Sequence, residues 1–325
     1  MASEPRQIHN VAGVMVLYEP GPEGPEAVRR AAGLVERLFV VDNSAPPVTL
    51  DSAPPHVRHI RNCANLGVAK ALNQGLLAAR EAGFAYTLLL DQDSWIEKPS
   101  LERLLAAQER LADAFIVCPR VLHEPDALPR RSAEGDVNRV AVAISSGSLV
   151  DLARLDEVGL HDEELFIDYV DFEYCLRAGL KGYSIYRVED AVLSHRLGDR
   201  REARLLGLRR YPTHHSPERR YYKTRNMLYV RRRYVRTHPQ WVRQSVRKLF
   251  NEMLEIWLFE QQKWKKTCAC LEGVRDFFLD RYGPRWDNNE QPDYAPQHGG
   301  RWAQPNANSE DGDSERDDHT AQEIR

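Results

Sequence analysis

Leu88-Leu89-Leu90-Asp91-Gln92-Asp93-Ser94 joins three leucines to two carboxylates one residue apart. The leucines read as a short strand buried on both faces. In an open α/β sheet, whatever follows such a strand lands in the crevice where ligands bind. Asp91 and Asp93, at i and i+2 on an extended tip, can turn toward one hard cation. Mg²⁺ or Mn²⁺ held by one or two carboxylates completes its shell with waters and substrate phosphates. The run therefore suggests a metal-assisted nucleotide site. The competing reading is a strand that ends in an Asx-type turn, because Asp and Ser favour turns through local hydrogen bonds. Asp-x-Asp alone does not choose between the two.

Upstream, strand and helix alternate. Val11 to Tyr18 is an apolar, β-branched strand ended by Pro20 and the Gly21-Pro22-Glu23-Gly24-Pro25 loop. Glu26 to Glu36 follows as a helix, and Leu38 to Val41 as a strand leading into Asp42-Asn43-Ser44. Arg58 to Arg61 is a third short strand. Leu66 to Ala82 carries apolar residues at helical spacing and closes at Gly83. Alternation of this kind implies a largely parallel sheet with right-handed crossovers. After Ser94 the pattern predicts a helix over Ser100 to Ala112, strands over Phe115 to Val117 and Val140 to Ile144, a helix over Asp171 to Ala178, and a strand over Tyr183 to Tyr186. From there to about Tyr282 the chain reads as mostly helical.

A chain of 325 residues is long enough for one large domain and a substantial core. Five cysteines without a Cys-x-x-Cys pair suit free thiols in a reducing cytosol. The start shows no signal peptide, and no apolar run reaches the roughly 18 to 20 residues that span a bilayer. The net charge of -3 hides an asymmetry: Arg200 to Lys248 is crowded with arginine and lysine, whereas the stretch from 287 to 325 is acidic, lacks apolar patterning and reads as disordered. The expected organisation is a catalytic domain over 8–234, a helical extension over 235–286 and that acidic tail.

Several further clusters have both a chemical and a plain reading. Asp42, at a strand end, could accept hydrogen bonds from a ribose or base, or cap a turn. Asn65-Leu66-Gly67 could be no more than a helix N-cap, with Asn73 a polar position on the helix. In Leu165-Phe166-Ile167-Asp168-Tyr169-Val170-Asp171-Phe172-Glu173-Tyr174-Cys175-Leu176-Arg177, three carboxylates sit among apolar neighbours, where burial would raise a pKa and make one a usable base. Helix capping plus a surface Glu173–Arg177 ion pair is the alternative. His195 follows in Ser194-His195-Arg196-Leu197-Gly198-Asp199.

The order of these pieces is more specific than any one of them. Tyr18, Asp42-Asn43-Ser44, Asn65-Leu66-Gly67, Asp91-Gln92-Asp93, Ser146-Gly147-Ser148, Asp171 with Glu173 and Arg177, then His195 with Gly198 together resemble family 2 glycosyltransferases of the GT-A fold. More narrowly they are similar to that family's bacterial rhamnosyltransferases. The likeness covers about Val11 to Tyr234. It departs at Glu19, where the family commonly has Asn in the base-binding loop, whereas Gln92 fits the rhamnosyl branch. The resemblance implies an α/β GT-A fold, a mainly parallel sheet flanked by helices. It also implies that Tyr18, Asp42 and Asn65 hold the nucleotide base, that Asp91 faces the nucleotide sugar, and that Asp93 binds a divalent cation, Mg²⁺ or Mn²⁺, bridging the diphosphate. Asp171 becomes the general base, His195 a further metal or phosphate contact, and Arg200 or Arg201 a phosphate contact.

Arg219-Arg220-Tyr221-Tyr222-Lys223-Thr224-Arg225-Asn226 mixes cations and aromatics as nucleic-acid binders do, but the stretch also resembles the glycosyltransferases at this position, which disfavours that reading. Over Val242 to Glu260, Val246, Phe250, Leu254 or Met253, and Trp257 share one helical face near Arg243, Arg247 and Lys248. Such a helix can lie on an anionic membrane or pack against the catalytic domain or a second subunit in a homodimer. Three functions remain open at this point. The first is an inverting transferase that moves rhamnose from dTDP-rhamnose to a saccharide carried by a polyprenyl lipid, in O-antigen or capsule assembly at the inner, cytoplasmic face of the plasma membrane. The second is a transferase of the same fold using a UDP-hexose, and the third a non-catalytic or nucleic-acid-binding protein.

Overall fold

The computed structural model describes residues 8–123, 135–195, 203–205, 208–210 and 214–285, with backbone alone at 8–9, 123, 195, 203–205 and 208–210. Arg200, Arg201 and the acidic stretch 287–325 lie outside the described residues. The described residues all fall within one compact unit, Met1–Arg285.

The leucine strand is β4 (Tyr86–Asp91), and its neighbour is β1 (Ile8–Leu17), with Val16 in parallel register against Asp91. On the other side of β1 lie β2 (Val35–Asp42) and then β3 (Val57–Arg61), also parallel. The order β3-β2-β1-β4 means that the chain leaves β1 in one direction through α1 (Gly24–Ala32) and reaches β4 in the other through α2 (Val68–Glu81). Strand order reverses between β1 and β4, and the crevice beyond their C-terminal ends is where such a sheet binds ligands. That placement puts Tyr18 and Asp91 on opposite sides of the opening.

Beyond β4 the sheet is mixed. It continues with β5 (Ser94–Ile96), α3 (Lys98–Arg110), β6 (Ala114–His123), β7 (Val137–Val140), β8 (Leu149–Asp151), the single turn α4 (Leu155–Val158), α5 (Val170–Leu180) and β9 (Ser184–His195). β8 runs antiparallel between β4 and β6, and β9 pairs parallel with β6 but antiparallel with β5 and β7. Strands β5 and β8 have three residues each, too few for a sequence pattern to register. The strand expected over Val140 to Ile144 lies instead at Val137–Val140, and the first helix stops at Ala32 rather than Glu36 because Gly33 and Leu34 turn the chain into β2.

Apolar residues fill both faces of the sheet. Val28 and Ala31 of α1 pack with Leu101 and Leu104 of α3 on one side. Leu72, Leu76 and Ala79 of α2 pack with Tyr174, Cys175 and Ala178 of α5 on the other. A Cβ on Gly75 would stand 2.3 Å from a Val14 methyl, so α2 approaches β1 closely only with glycine there.

After the hairpin β10 (Ala203–Leu205) and β11 (Leu208–Arg210), three helices complete the unit: α6 (Pro217–Tyr234), α7 (Pro239–Phe259) and α8 (Lys263–Phe278). Three of the four cations in the run that raised nucleic acid as an alternative, Arg220, Lys223 and Arg225, face inward. Arg220 is buried between Glu252 (2.9 Å) and Glu260 (2.6 Å), and Lys223 meets Glu252 at 2.6 Å. Arg225 is fully buried on the carbonyls of Glu164 and Gly283. None of these three presents its charge to a phosphate backbone. All five cysteines are free thiols. No described helix is long and apolar enough to cross a membrane.

Candidate active site

Beyond β4 the chain makes a tight turn whose geometry is set by hydroxyls. The Asp91 N–H donates to both Ser94 Oγ and Ser146 Oγ, each at 3.2 Å, and Ser94 Oγ donates to the Asp91 carbonyl at 3.1 Å. Ser146 is delivered by its own turn, in which the Gly147 N–H donates to the Leu89 carbonyl (2.7 Å) and Ser148 Oγ to that of Ile144 (2.6 Å). Ser146-Gly147-Ser148 is thus a brace for the carboxylate turn. Between the two carboxylates, Gln92 reaches back across the crevice. Its Oε1 accepts from the Tyr18 N–H (2.9 Å) and its Nε2 donates to the Tyr18 carbonyl (3.2 Å). That two-point pairing fixes the loop after β1, leaving Tyr18 45% exposed and Asp93 on the surface.

On the far wall, Asp42 is completely buried. Its carboxylate accepts from the Ser44 N–H (2.9 Å), the Val48 N–H (2.6 Å) and His59 Nε2 (3.2 Å). Burial pushes this carboxyl upward, but the bonds from Ser44, Val48 and His59 outweigh it and leave it below its ordinary value. Of the two roles open to Asp42, its partners describe the turn; contact with a base would require it to give some of them up. The adjacent Asn43 donates to the Gly67 carbonyl (3.1 Å) and accepts from Asn62 (2.8 Å), which is itself paired with Gln74. Asn65 is exposed, with Oδ1 accepting from the Gly67 N–H (3.0 Å).

The third wall is the run before α5. Phe166, Asp168 and Tyr169 all have positive φ, at 60°, 62° and 67°, conformations that cost non-glycine residues on the order of 1–3 kcal/mol each. The surroundings hold them there. Asn226, fully buried on α6, donates to the carbonyls of Leu165 (2.7 Å), Ile167 (2.7 Å) and Asp168 (3.0 Å), and Arg225 Nε donates to Asn226 Oδ1. The Phe166 ring stacks on Tyr222 with centroids 5.0 Å apart. Its carbonyl accepts the Val68 N–H (2.8 Å), capping α2, and a Cβ on Gly67 would collide with it at 2.8 Å. Asn65-Leu66-Gly67 and Leu165-Phe166-Ile167 are therefore two halves of one contact.

This turn presents the carboxylates unequally. Glu173 is buried, paired with Arg177 (2.9 Å) and accepting from Tyr234 (2.7 Å), so the ion pair expected on the surface is internal. Asp168 pairs with Arg219 at 3.2 Å. Burial works against the Arg219 charge, but Asp168, Asp91 and Asp93 outweigh it, which places this arginine in the field of both strand-tip carboxylates. Asp171 is the carboxyl pushed upward, to about 7: burial is the main cause, the Phe172 N–H bond opposes it, and the Asp168 and Asp91 charges add to it. A base poised there suits proton abstraction at neutral pH.

A divalent cation fits this donor set only with help from a ligand. Among the described residues no three His, Cys, Asp or Glu side chains form a site of their own. Asp91 and Asp93 could supply one or two oxygens, with phosphates and water completing the shell. His195 ends β9 opposite Ser94 in the antiparallel β5–β9 pairing, which brings its backbone beside the turn; its side chain lies outside the described residues, as do Arg200 and Arg201. Sequence reading assigned no role to Gln92, Asn43, Asn62, Arg219 or Asn226. A signal existed for Arg219 and Asn226 in the basic, aromatic run that begins α6, but it pointed as readily to phosphate binding as to bracing a turn.

Residues 23–151 match the family description Glycosyl transferase family 2. The dTDP-rhamnosyl transferase RfbF of Shigella flexneri is 33% identical over 244 residues, covering 70% of this chain and 81% of that protein. Among solved structures, S. aureus TarS superposes with a TM-score of 0.50 at 13% identity over 83% of this chain. The chain spans about half the length of that structure, 48%.

Proposed function

The chain belongs to glycosyl transferase family 2, and from that premise we propose that it transfers rhamnose from dTDP-rhamnose to a saccharide hydroxyl with inversion at the anomeric carbon. The enzyme is a glycosyltransferase of the GT-A type. The rhamnosyl donor is supported by the identity to RfbF. What carries the mechanism is Asp171, a carboxyl raised to about 7 within the field of Asp91.

In this reading the donor lies in the crevice between β1 and β4, its base on the platform of Tyr18 and the Asn43–Asn65–Gly67 wall and its diphosphate over Asp91 and Asp93. Arg219 offers a positive charge beside those groups. A Mg²⁺ or Mn²⁺ ion would be held by Asp93 with Asp91 and would offset the charge of the departing diphosphate. Asp171 takes the proton of the acceptor hydroxyl as its oxygen bonds to the anomeric carbon and the bond from that carbon to the diphosphate breaks. One displacement inverts the centre. The acceptor in this proposal is a growing O-antigen or capsule saccharide on a polyprenyl lipid, met at the cytoplasmic face of the membrane.

The test is a panel of sugar nucleotides, with and without Mn²⁺ or Mg²⁺, read by thermal shift and by release of the nucleoside diphosphate. A native-state ligand raises stability by mass action. The proposal requires dTDP-rhamnose to stabilise and turn over best. Preference for a UDP-hexose would move the protein to another donor, as the Glu19 departure in the base loop would then explain.

A further inference from the structure

Helix α7 is held to the rest of the chain by one side only. Val242, Glu252 and Ile256 are buried. On the opposite side Phe250 is 61% exposed, Leu254 49%, Trp257 43% and Leu258 57%. The spacing of 250, 254 and 257 stacks these side chains into one stripe. The stripe continues past the turn into α8, where Trp264, 72% exposed, sits edge-on to Trp257 with centroids 5.1 Å apart. Exposed apolar residues are ordinary singly, but a contiguous patch marks an interaction surface. The reading in which this face packs on the catalytic domain is excluded by its exposure.

The distribution of charge on the same two helices identifies the occupant. Arg243, Arg247, Lys248 and Lys265 are all exposed. Three carboxylates of these helices are already committed to other partners. Glu252 is buried against Arg220 and Lys223, Asp276 is buried and accepts from Tyr221 (2.9 Å), and Glu272 holds Arg285, while Glu255 is half-buried. A chain of net charge -3 therefore turns an apolar face bordered by these four exposed cations outward here. A second copy docking through the same face would set these cations against one another. Anionic headgroups would answer them, and tryptophan and lysine are the side chains that settle at the boundary of headgroup and acyl chain. We infer that the outer face of α7 and the first turn of α8 docks on an anionic phospholipid bilayer. The inference holds whatever sugar is transferred.

The full-length protein should be sedimented with vesicles of phosphatidylglycerol and phosphatidylcholine, and with phosphatidylcholine alone, at low and high salt. Binding to the anionic vesicles should be reversible and fall steeply with salt. Arg243→Glu with Arg247→Glu should reduce it on the order of tenfold or more, and Trp264→Ser should weaken it at unchanged melting temperature, since that ring is exposed. Tryptophan emission should shift to the blue on binding to the anionic vesicles. Equal binding to neutral vesicles, no binding to anionic ones, or charge-reversed variants that bind unchanged would overturn the inference. So would a dimer in light scattering that Phe250→Glu dissociates, because the face would then belong to a second copy.

Discussion

If Asp171 is the base, transfer must follow its titration. With its carboxyl held at about 7, roughly a tenth of the free enzyme carries the active carboxylate at pH 6 and roughly nine tenths at pH 8, so kcat/KM should climb about tenfold across that interval. Asp171→Asn keeps the shape and removes the base; transfer should fall by about 10²-fold or more and lose the inflection. Asp168→Asn should move the inflection to lower pH, because the Asp168 charge helps to raise Asp171. Stability obeys the opposite sign. A carboxyl raised in the folded state keeps its proton while the unfolded chain has lost it, so stability falls as pH rises from about 4 to about 7 and then levels. The difference between 3.8 and about 7 corresponds to at most about 4 kcal/mol, which Asp171→Asn should recover at pH 8 and not at pH 4. The assay is initial-rate transfer between pH 5.5 and 8.5, paired with thermal melts at the same pH values. A flat rate profile, or an Asp171→Asn enzyme that keeps the wild-type inflection, would refute the assignment.

Three other perturbations separate bracing from binding. Asn226→Ala strips donors from three carbonyls of a strained turn and should cost roughly 2–4 kcal/mol, visible as a melting temperature lower by several degrees together with reduced transfer; an unchanged melt would mean that the turn holds itself. Gln92→Ala removes both bonds to the Tyr18 backbone and should raise the KM for donor several-fold, with stability lowered by no more than about 2 kcal/mol; a KM that does not move would sever Gln92 from the base platform. Asp93→Ala should abolish the metal-dependent part of donor binding at an unaltered melting temperature, because the side chain is exposed, and calorimetry with and without Mn²⁺ would show it.

The parts of this architecture with long, regular patterns could be read from sequence. The strand–helix alternation to Asp91 carries enough apolar spacing to specify the parallel half of the sheet, and the three leucines located the switch point. Strands β5 and β8 carry three residues each, and their antiparallel pairing depends on partners 97 to 101 and 32 to 65 residues away in sequence, which no local period encodes. The site divides in the same way. Asp91, Asp93 and Asp171 stood out because carboxylates are conspicuous among apolar residues. Asn226 did not, because its work is to satisfy carbonyls about sixty residues earlier in the chain. Arg220 and Arg225 looked like surface cations, since sequence shows a charge but not the Glu252, Glu260 or carbonyl oxygens that let it be buried.

The central claim is single-displacement transfer of rhamnose with Asp171 as base, and the anomeric configuration of the product tests it most directly. Incubation with dTDP-rhamnose and a saccharide acceptor, followed by NMR of the new glycosidic bond, should give the configuration opposite to that of the donor, and Asp171→Asn should give almost none of it. A product that retains the donor's configuration would contradict the account.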